Sequence, residues 1–172
     1  MIPSELEAQL ESLHSESFGW ALSCCGHDET EAEDVLQTTY LKIITGKARF
    51  EGRSSFKTWV FGVVRRTAQE ASRRIKAERK RVIHLVTDDM EDPSTESPDR
   101  ELAKDEAART LVKALEKLSD RQRDTLHLVF YQDLTISEAA EVMGISLGSA
   151  RTHYERGKER LRNLLGEGEN VA

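Results

Sequence analysis

Three observations predict an all-α chain, with two small helical domains joined by a flexible acidic linker. Proline is confined to Pro3, Pro93 and Pro98, so two long stretches, 4–84 and 101–166, are free of it. Sequences of the capping-box type S/T-x-x-E/Q occur at Thr30–Glu33, Ser119–Gln122 and Thr135–Glu138. No run shows the alternation of β-branched and polar residues that marks a half-buried strand.

The elements follow in order. One helix precedes Gly26, a second spans about 31–45, and a long third spans about 55–81. The stretch TDDMEDPSTESPDRE then combines proline, serine, threonine and acids without apolar periodicity, so it reads as a linker. Helices are predicted beyond it at about 102–117, 120–131, 136–143 and 147–165. Gly26 and Gly144 suit helix ends, where the backbone turns left-handed. The domains are therefore drawn at 1–84 and 104–166, with a linker at 85–103 and a tail at 167–172.

The last two helices form a helix-turn-helix pattern. Ala140 is small enough for a close crossing, Gly144 permits the turn, Ile145 anchors it, and Ser146 caps the next helix. Ala150, Tyr154, Gly157, Leu161 and Leu164 recur at helical spacing and form the inward stripe. Ser149, Arg151, Thr152, Arg156 and Lys158 fall outside that stripe. In a major groove such residues meet phosphates and base edges.

Charge first argues against nucleic acid, since 25 Lys and Arg stand against 31 Asp and Glu, a net of −6. Along the chain the charge separates into blocks. Residues 1–41 hold nine acids and no Lys or Arg, and residues 88–106 carry a net −7. Residues 65–81 carry a net +6 and residues 149–162 a net +3. Blocks of this size are interaction surfaces or solvated linkers.

The first basic block follows four of the chain's ten aromatics, Phe50, Phe56, Trp59 and Phe61. Rings stack on exposed bases while cations follow the backbone, which suits an opened strand. Phe56 shares a helical face with Val60, Val63 and Thr67 and is assigned to the core. Trp59 is open to either role, and Phe50 lies in a loop before the helix.

These segments resemble the sigma-70 family of bacterial RNA polymerase sigma factors, in its extracytoplasmic-function (ECF) group. AEDVLQTTYLKI and SSFKTWVFGVVRR resemble two stretches of region 2, and LEKLSDRQRDTLHLVFYQDLTISEAAEVMGISLGSARTHYERGKERLR resembles region 4. The resemblance implies a promoter-specificity subunit that binds core RNA polymerase, through the β′ clamp helices and the β flap, and binds promoter DNA. Glu33, Asp34, Gln37 and Leu41 would dock on the polymerase. Phe50, Arg53, Lys57, Trp59, Arg65, Arg66, Gln69, Arg73 and Arg74 would recognise and open the minus-10 element. Ser149, Arg151, Thr152, His153 and Arg156, with Lys158, would read the minus-35 element. An anti-sigma partner is also implied. Arg66 stands where the family often has Asn, Glu70 where it has Asp, Ala150 where it has Val and His153 where it has Arg.

The remaining readings are exclusions. No apolar run approaches membrane-spanning length, and the acidic N-terminus lacks the features of a signal peptide, so a cytoplasmic protein is expected. Cys24 and Cys25 are adjacent, which suits tetrahedral zinc poorly, so no metal is expected. No nucleophile–base constellation or P-loop is present, so neither catalysis nor a cofactor is expected. A stand-alone helix-turn-helix regulator is the alternative. The acidic E-D-x-x-Q helix and the aromatic-basic segment speak against it.

Overall fold

The structure, a computed structural model, describes residues 3–85 and 106–169. Among these no strand occurs. The elements are α1 (Pro3–Ser12), α2 (His14–Cys24), α3 (Glu29–Ile44), α4 (Phe56–Leu85), α5 (Glu106–Glu116), α6 (Asp120–Leu126), a π-helical turn (His127–Tyr131), α7 (Ile136–Met143) and α8 (Leu147–Glu169). The expected linker lies almost wholly outside the described residues.

Four local details differ from the sequence reading. The helix expected before Gly26 is two helices, α1 and α2, divided at Leu13. Helix α3 is capped by Asp28, whose carboxylate accepts the Glu31 N–H at 3.0 Å, and not by Thr30. Both residue types cap well, and the earlier one lengthens the helix by two residues. The segment expected as one helix over 120–131 is α-helical only to Leu126 and then widens into the π turn. The long third helix runs on to Leu85.

The other two capping boxes form as the spacing predicts. At Ser119 and at Thr135 the hydroxyl accepts the N–H three residues on, while Gln122 and Glu138 reach back to the cap N–H. Each satisfies two backbone donors that would otherwise face water alone.

The described residues fall into two compact units, 3–51 with 63–85 and 52–62 with 106–169. In the first, α3 buries Ala32, Val35, Leu36, Thr39 and Ile43 along one stripe. Trp20 of α2 is wholly buried, as is Val64 of α4. The Thr39 hydroxyl is satisfied by donating to the Val35 carbonyl at 2.8 Å. Lys42 ties α3 to α4, donating to Thr67 Oγ1 at 3.1 Å and to Glu70 Oε2 at 2.6 Å.

In the second unit α8 packs on α5, α6 and α7. Gly157 sits at the closest point, where a Cβ would meet Gln122 Cβ and Leu126 Cδ1 at 3.3 Å. Only a glycine lets α6 and α8 approach this closely without displacement. Thr125, wholly buried, donates to the Arg121 carbonyl at 2.6 Å and lies 3.4 Å from the Met143 sulfur.

Candidate nucleic-acid interface

The turn between α7 and α8 is built from its own backbone. Gly144 closes α7 at φ +64°, and the Ile145 N–H donates back to the Ala140 carbonyl at 3.1 Å. Ser146 Oγ then accepts the Ser149 N–H at 3.1 Å and starts α8. Ala140 and Ala150 are buried where the two helices cross. The inward stripe predicted from sequence is observed: Ala150 and Gly157 are buried, and Tyr154, Leu161 and Leu164 are half-buried.

The remaining surface of α8 separates its candidate residues. Ser149, Arg151, Thr152 and Arg156 are exposed. Helical geometry puts Thr152 outermost, with Ser149, His153 and Arg156 on one flank and Arg151 and Lys158 on the other. Lys158 lies against the protein, 4.3 Å from the centre of the Tyr154 ring and 3.5 Å from Glu155 Oε1. His153 is half-buried. Its pKa is held below the usual histidine value, first by burial and then by repulsion from Arg121 and Arg156. Arg121, exposed at the start of α6, therefore adds positive charge to this flank, as does exposed Arg160. Sequence reasoning missed both; Arg121 lies 32 residues from His153, so no local pattern joins them.

The aromatic-basic segment divides similarly. Phe61 and Val60 are wholly buried, whereas Phe50, Phe56 and Trp59 are half-buried. The Phe56 and Trp59 rings are tilted against each other with centroids 5.6 Å apart. Phe56, assigned to the core, is thus only partly covered. Ser55 Oγ accepts the Thr58 N–H at 3.1 Å and opens α4. Within the second unit Lys57 Nζ donates to the Gln132 carbonyl at 2.7 Å, and the Thr58 hydroxyl donates to Glu138 at 3.3 Å. Arg53 is exposed in the loop.

Further along α4, Arg66, Gln69 and Arg73 are exposed at i, i+3 and i+7 and share one face, while Arg65 is half-buried. Arg74 turns aside and lines a cleft with Cys25, Glu31, Asp34 and Arg79. Burial, then Glu31 and Asp28, push the Cys25 thiol up to about 12, so it stays protonated at neutral pH. Among the described residues no group of three or more His, Cys, Asp or Glu side chains could hold a metal.

On α3, Glu33, Asp34, Gln37 and Leu41 are all exposed. Ile44 continues the face, and sequence reasoning missed it. Leu41 and Ile44 are 57% and 55% exposed, an apolar ridge that α3's own core does not cover. Among the described residues no helix is long and apolar enough to cross a membrane.

Comparison with known proteins agrees with this layout. Family models match Sigma-70 region 2 over residues 10–78 and Sigma-70 region 4 over residues 114–163. The ECF RNA polymerase sigma factor SigX of Bacillus subtilis is 31% identical over 140 residues, covering 80% of this chain and 72% of that protein. The RNA polymerase sigma factor CarQ of Myxococcus xanthus is 32% identical over 136 residues, covering 79% and 75%. The fold is similar to that of the sigma factor RpoE in its complex with the anti-sigma factor NepR from Bartonella quintana. That likeness has a TM-score of 0.72 at 22% identity and covers 94% of this chain and 97% of that one. The two capped helical units, the helix-turn-helix and these relatives lead to one conclusion: the chain belongs to the sigma-70 family, as an ECF RNA polymerase sigma factor that directs promoter-specific transcription.

Proposed function

We propose a division of labour among three exposed helix faces. The face of α3 that carries Glu33, Asp34, Gln37 and Leu41 docks on the β′ clamp helices of core polymerase. The segment from Phe50 to Arg74 captures and opens the minus-10 element, with Phe50 and Trp59 available to stack on bases and Arg66, Gln69 and Arg73 following the strand. The face of α8 reads the minus-35 element, Thr152 and Arg156 toward base edges and Arg151 toward phosphate. Residues 1–84 and 104–166 act as the two functional domains, the second also engaging the β flap. The protein works in the cytoplasm, without catalysis or cofactor. An anti-sigma factor covers part of these faces when transcription is off.

One observation carries the reading. The exposed faces are sorted by charge, acidic on α3 and basic on α4 and α8. A protein with net charge −6 binds DNA poorly through its overall field, so promoter recognition depends on the polymerase. Run-off transcription with core polymerase and mapped start sites tests this. Start sites preceded by shared minus-10 and minus-35 sequences are expected. Tight, specific promoter binding by the isolated chain would favour a stand-alone regulator instead.

A further inference from the structure

Residues 52–62 lie inside the region 2 match, 10–78, yet they pack with 106–169 in the second compact unit. The π turn makes their seat. It ends at Gln132, whose N–H donates to the His127 carbonyl five residues back at 3.1 Å, and Asp133 then turns left-handed at φ +56°. Gln132 is 4% exposed, and its carbonyl stands at the negative end of the turn, so it calls for a donor and favours a cation. Lys57 supplies both. Its Nζ donates to that carbonyl at 2.7 Å and lies 5.6 Å from the centre of the Phe61 ring. One residue on, the Thr58 hydroxyl donates to Glu138 Oε2 at 3.3 Å, while Glu138 Oε1 accepts from Thr135 in the cap of α7. Thr58 is 2% exposed and Phe61 is wholly buried.

We infer that this contact is an autoinhibitory latch: in the free chain the π turn holds Lys57 and keeps the start of α4 from minus-10 DNA until core polymerase releases it. The inference rests on the reading of residues 50–74 as the minus-10 segment. It adds a regulatory role for Gln132, Glu138 and the π turn, to which that reading gives no part. The Lys57 ammonium cannot sit on the Gln132 carbonyl and on a phosphate at once. The exchange is favourable once DNA is delivered, because an anionic phosphate oxygen accepts from an ammonium more strongly than a neutral carbonyl does. A π turn has poorer geometry than the α-helix around it and occurs mostly at functional sites. Here its end supplies the acceptor that holds Lys57. The latch also weakens DNA binding by the free chain by a route separate from net charge, since apparent affinity falls with the fraction of chains that are open.

Amine labelling of the full-length protein with an N-hydroxysuccinimide ester, read lysine by lysine by mass spectrometry, tests the latch. Three states are compared: the free chain, the chain with core polymerase, and that holoenzyme on a promoter fragment from the mapped start sites. In the free chain Lys57 is expected to label about fivefold more slowly than exposed Lys80, as for a latch closed in about four chains of five. Core polymerase should raise Lys57 labelling, and the promoter fragment should lower it again. Two variants place the cause. Glu138→Ala and Thr135→Ala both break the capping box of α7, but only Glu138→Ala also releases Thr58. Only Glu138→Ala should therefore speed Lys57 labelling in the free chain. Equal labelling of Lys57 and Lys80 in the free wild-type chain, or protection that core polymerase leaves unchanged, overturns the latch. Release by core polymerase without renewed protection on the promoter keeps the latch and removes Lys57 from the minus-10 reading. If Glu138→Ala does not fold, the three wild-type states decide alone.

Discussion

Helices α3 and α8 are built alike but present opposite surfaces. Each starts at a side-chain cap, Asp28 or Ser146, and each buries one stripe of small and apolar residues. The difference lies outside the stripe. Helix α3 exposes acids and the ridge of Leu41 and Ile44, whereas α8 exposes Ser149, Arg151, Thr152 and Arg156. An uncovered apolar ridge costs water contact and is removed by a protein surface. A polar, cationic face has little apolar area to gain and instead exchanges counterions with phosphate. Under the proposed assignment, the same kind of capped helix thus suits a protein partner in one case and DNA in the other.

The largest expected break in this comparison is at α3. Leu41→Ala with Ile44→Ala removes the ridge while leaving the buried stripe intact. Core affinity should fall by about 2–4 kcal/mol, the range of a central interface cluster. Melting temperature should hardly change, because both side chains are more than half exposed. Fluorescence titration against core polymerase checks it.

The next effect is at the scaffold of α8. Gly157→Ala places a Cβ 3.3 Å from Gln122 Cβ and Leu126 Cδ1, so these side chains must shift by a few tenths of an ångström. Overpacking of this kind costs about 1–3 kcal/mol. Denaturant unfolding should show the loss, and minus-35 binding by the holoenzyme should weaken with it. Arg156→Ala, by contrast, should spare stability and cost about 1–3 kcal/mol of base discrimination. Arg151→Ala should lower affinity across sequences and reduce the slope of log K against log salt by about one.

How far these sites were legible in the sequence depends on how local their causes are. The turn at Gly144, the caps at Ser119 and Thr135 and the stripe of α8 are set within a few residues and read directly. Asp28 displaced Thr30 as the cap of α3 because two good capping residues stood two apart, and spacing alone does not rank them. The π turn at His127–Tyr131 has no local signature. It leaves Phe130 and Tyr131 62% and 78% exposed within a segment that reads as an ordinary helix. Ile44 was missed because it lies one turn beyond the motif that marks the proposed docking face. The proximity of Arg121 to His153 arises only when α6 packs on α8.

A smaller effect follows from that proximity. Burial and the charges of Arg121 and Arg156 hold the His153 pKa below 6.5, so the ring is neutral at pH 7. Bound phosphate favours the protonated form, so minus-35 affinity should rise as pH falls below that value. The same lowered pKa makes the unfolded chain the stronger proton acceptor, so stability should fall over the same window. His153→Arg carries its charge throughout and should flatten the pH profile of holoenzyme binding. An unchanged profile would remove His153 from the interface.

The smallest effect joins α3 to α4. Glu70 is exposed on a helix otherwise rich in bases, where an acid would repel DNA. Its carboxylate is instead drawn to Lys42, and that hydrogen bond, with help from Arg73 and Arg74, lowers its pKa. A carboxylate with a depressed folded pKa stabilises the fold above its unfolded value, and the contribution fades as pH falls through the folded one. Since the Glu70 side chain is 54% exposed, solvent screens the pair, and Glu70→Gln should cost about 0.2–1 kcal/mol at neutral pH and less in acid. Lys42→Met should cost little more in stability. It frees the Glu70 charge beside Arg73 and should weaken minus-10 binding, whereas Glu70→Gln should not. If α4 meets minus-10 DNA as proposed, Lys42 keeps an acid there from opposing it, and comparing the two variants in open-complex formation separates that role from the pair's contribution to folding.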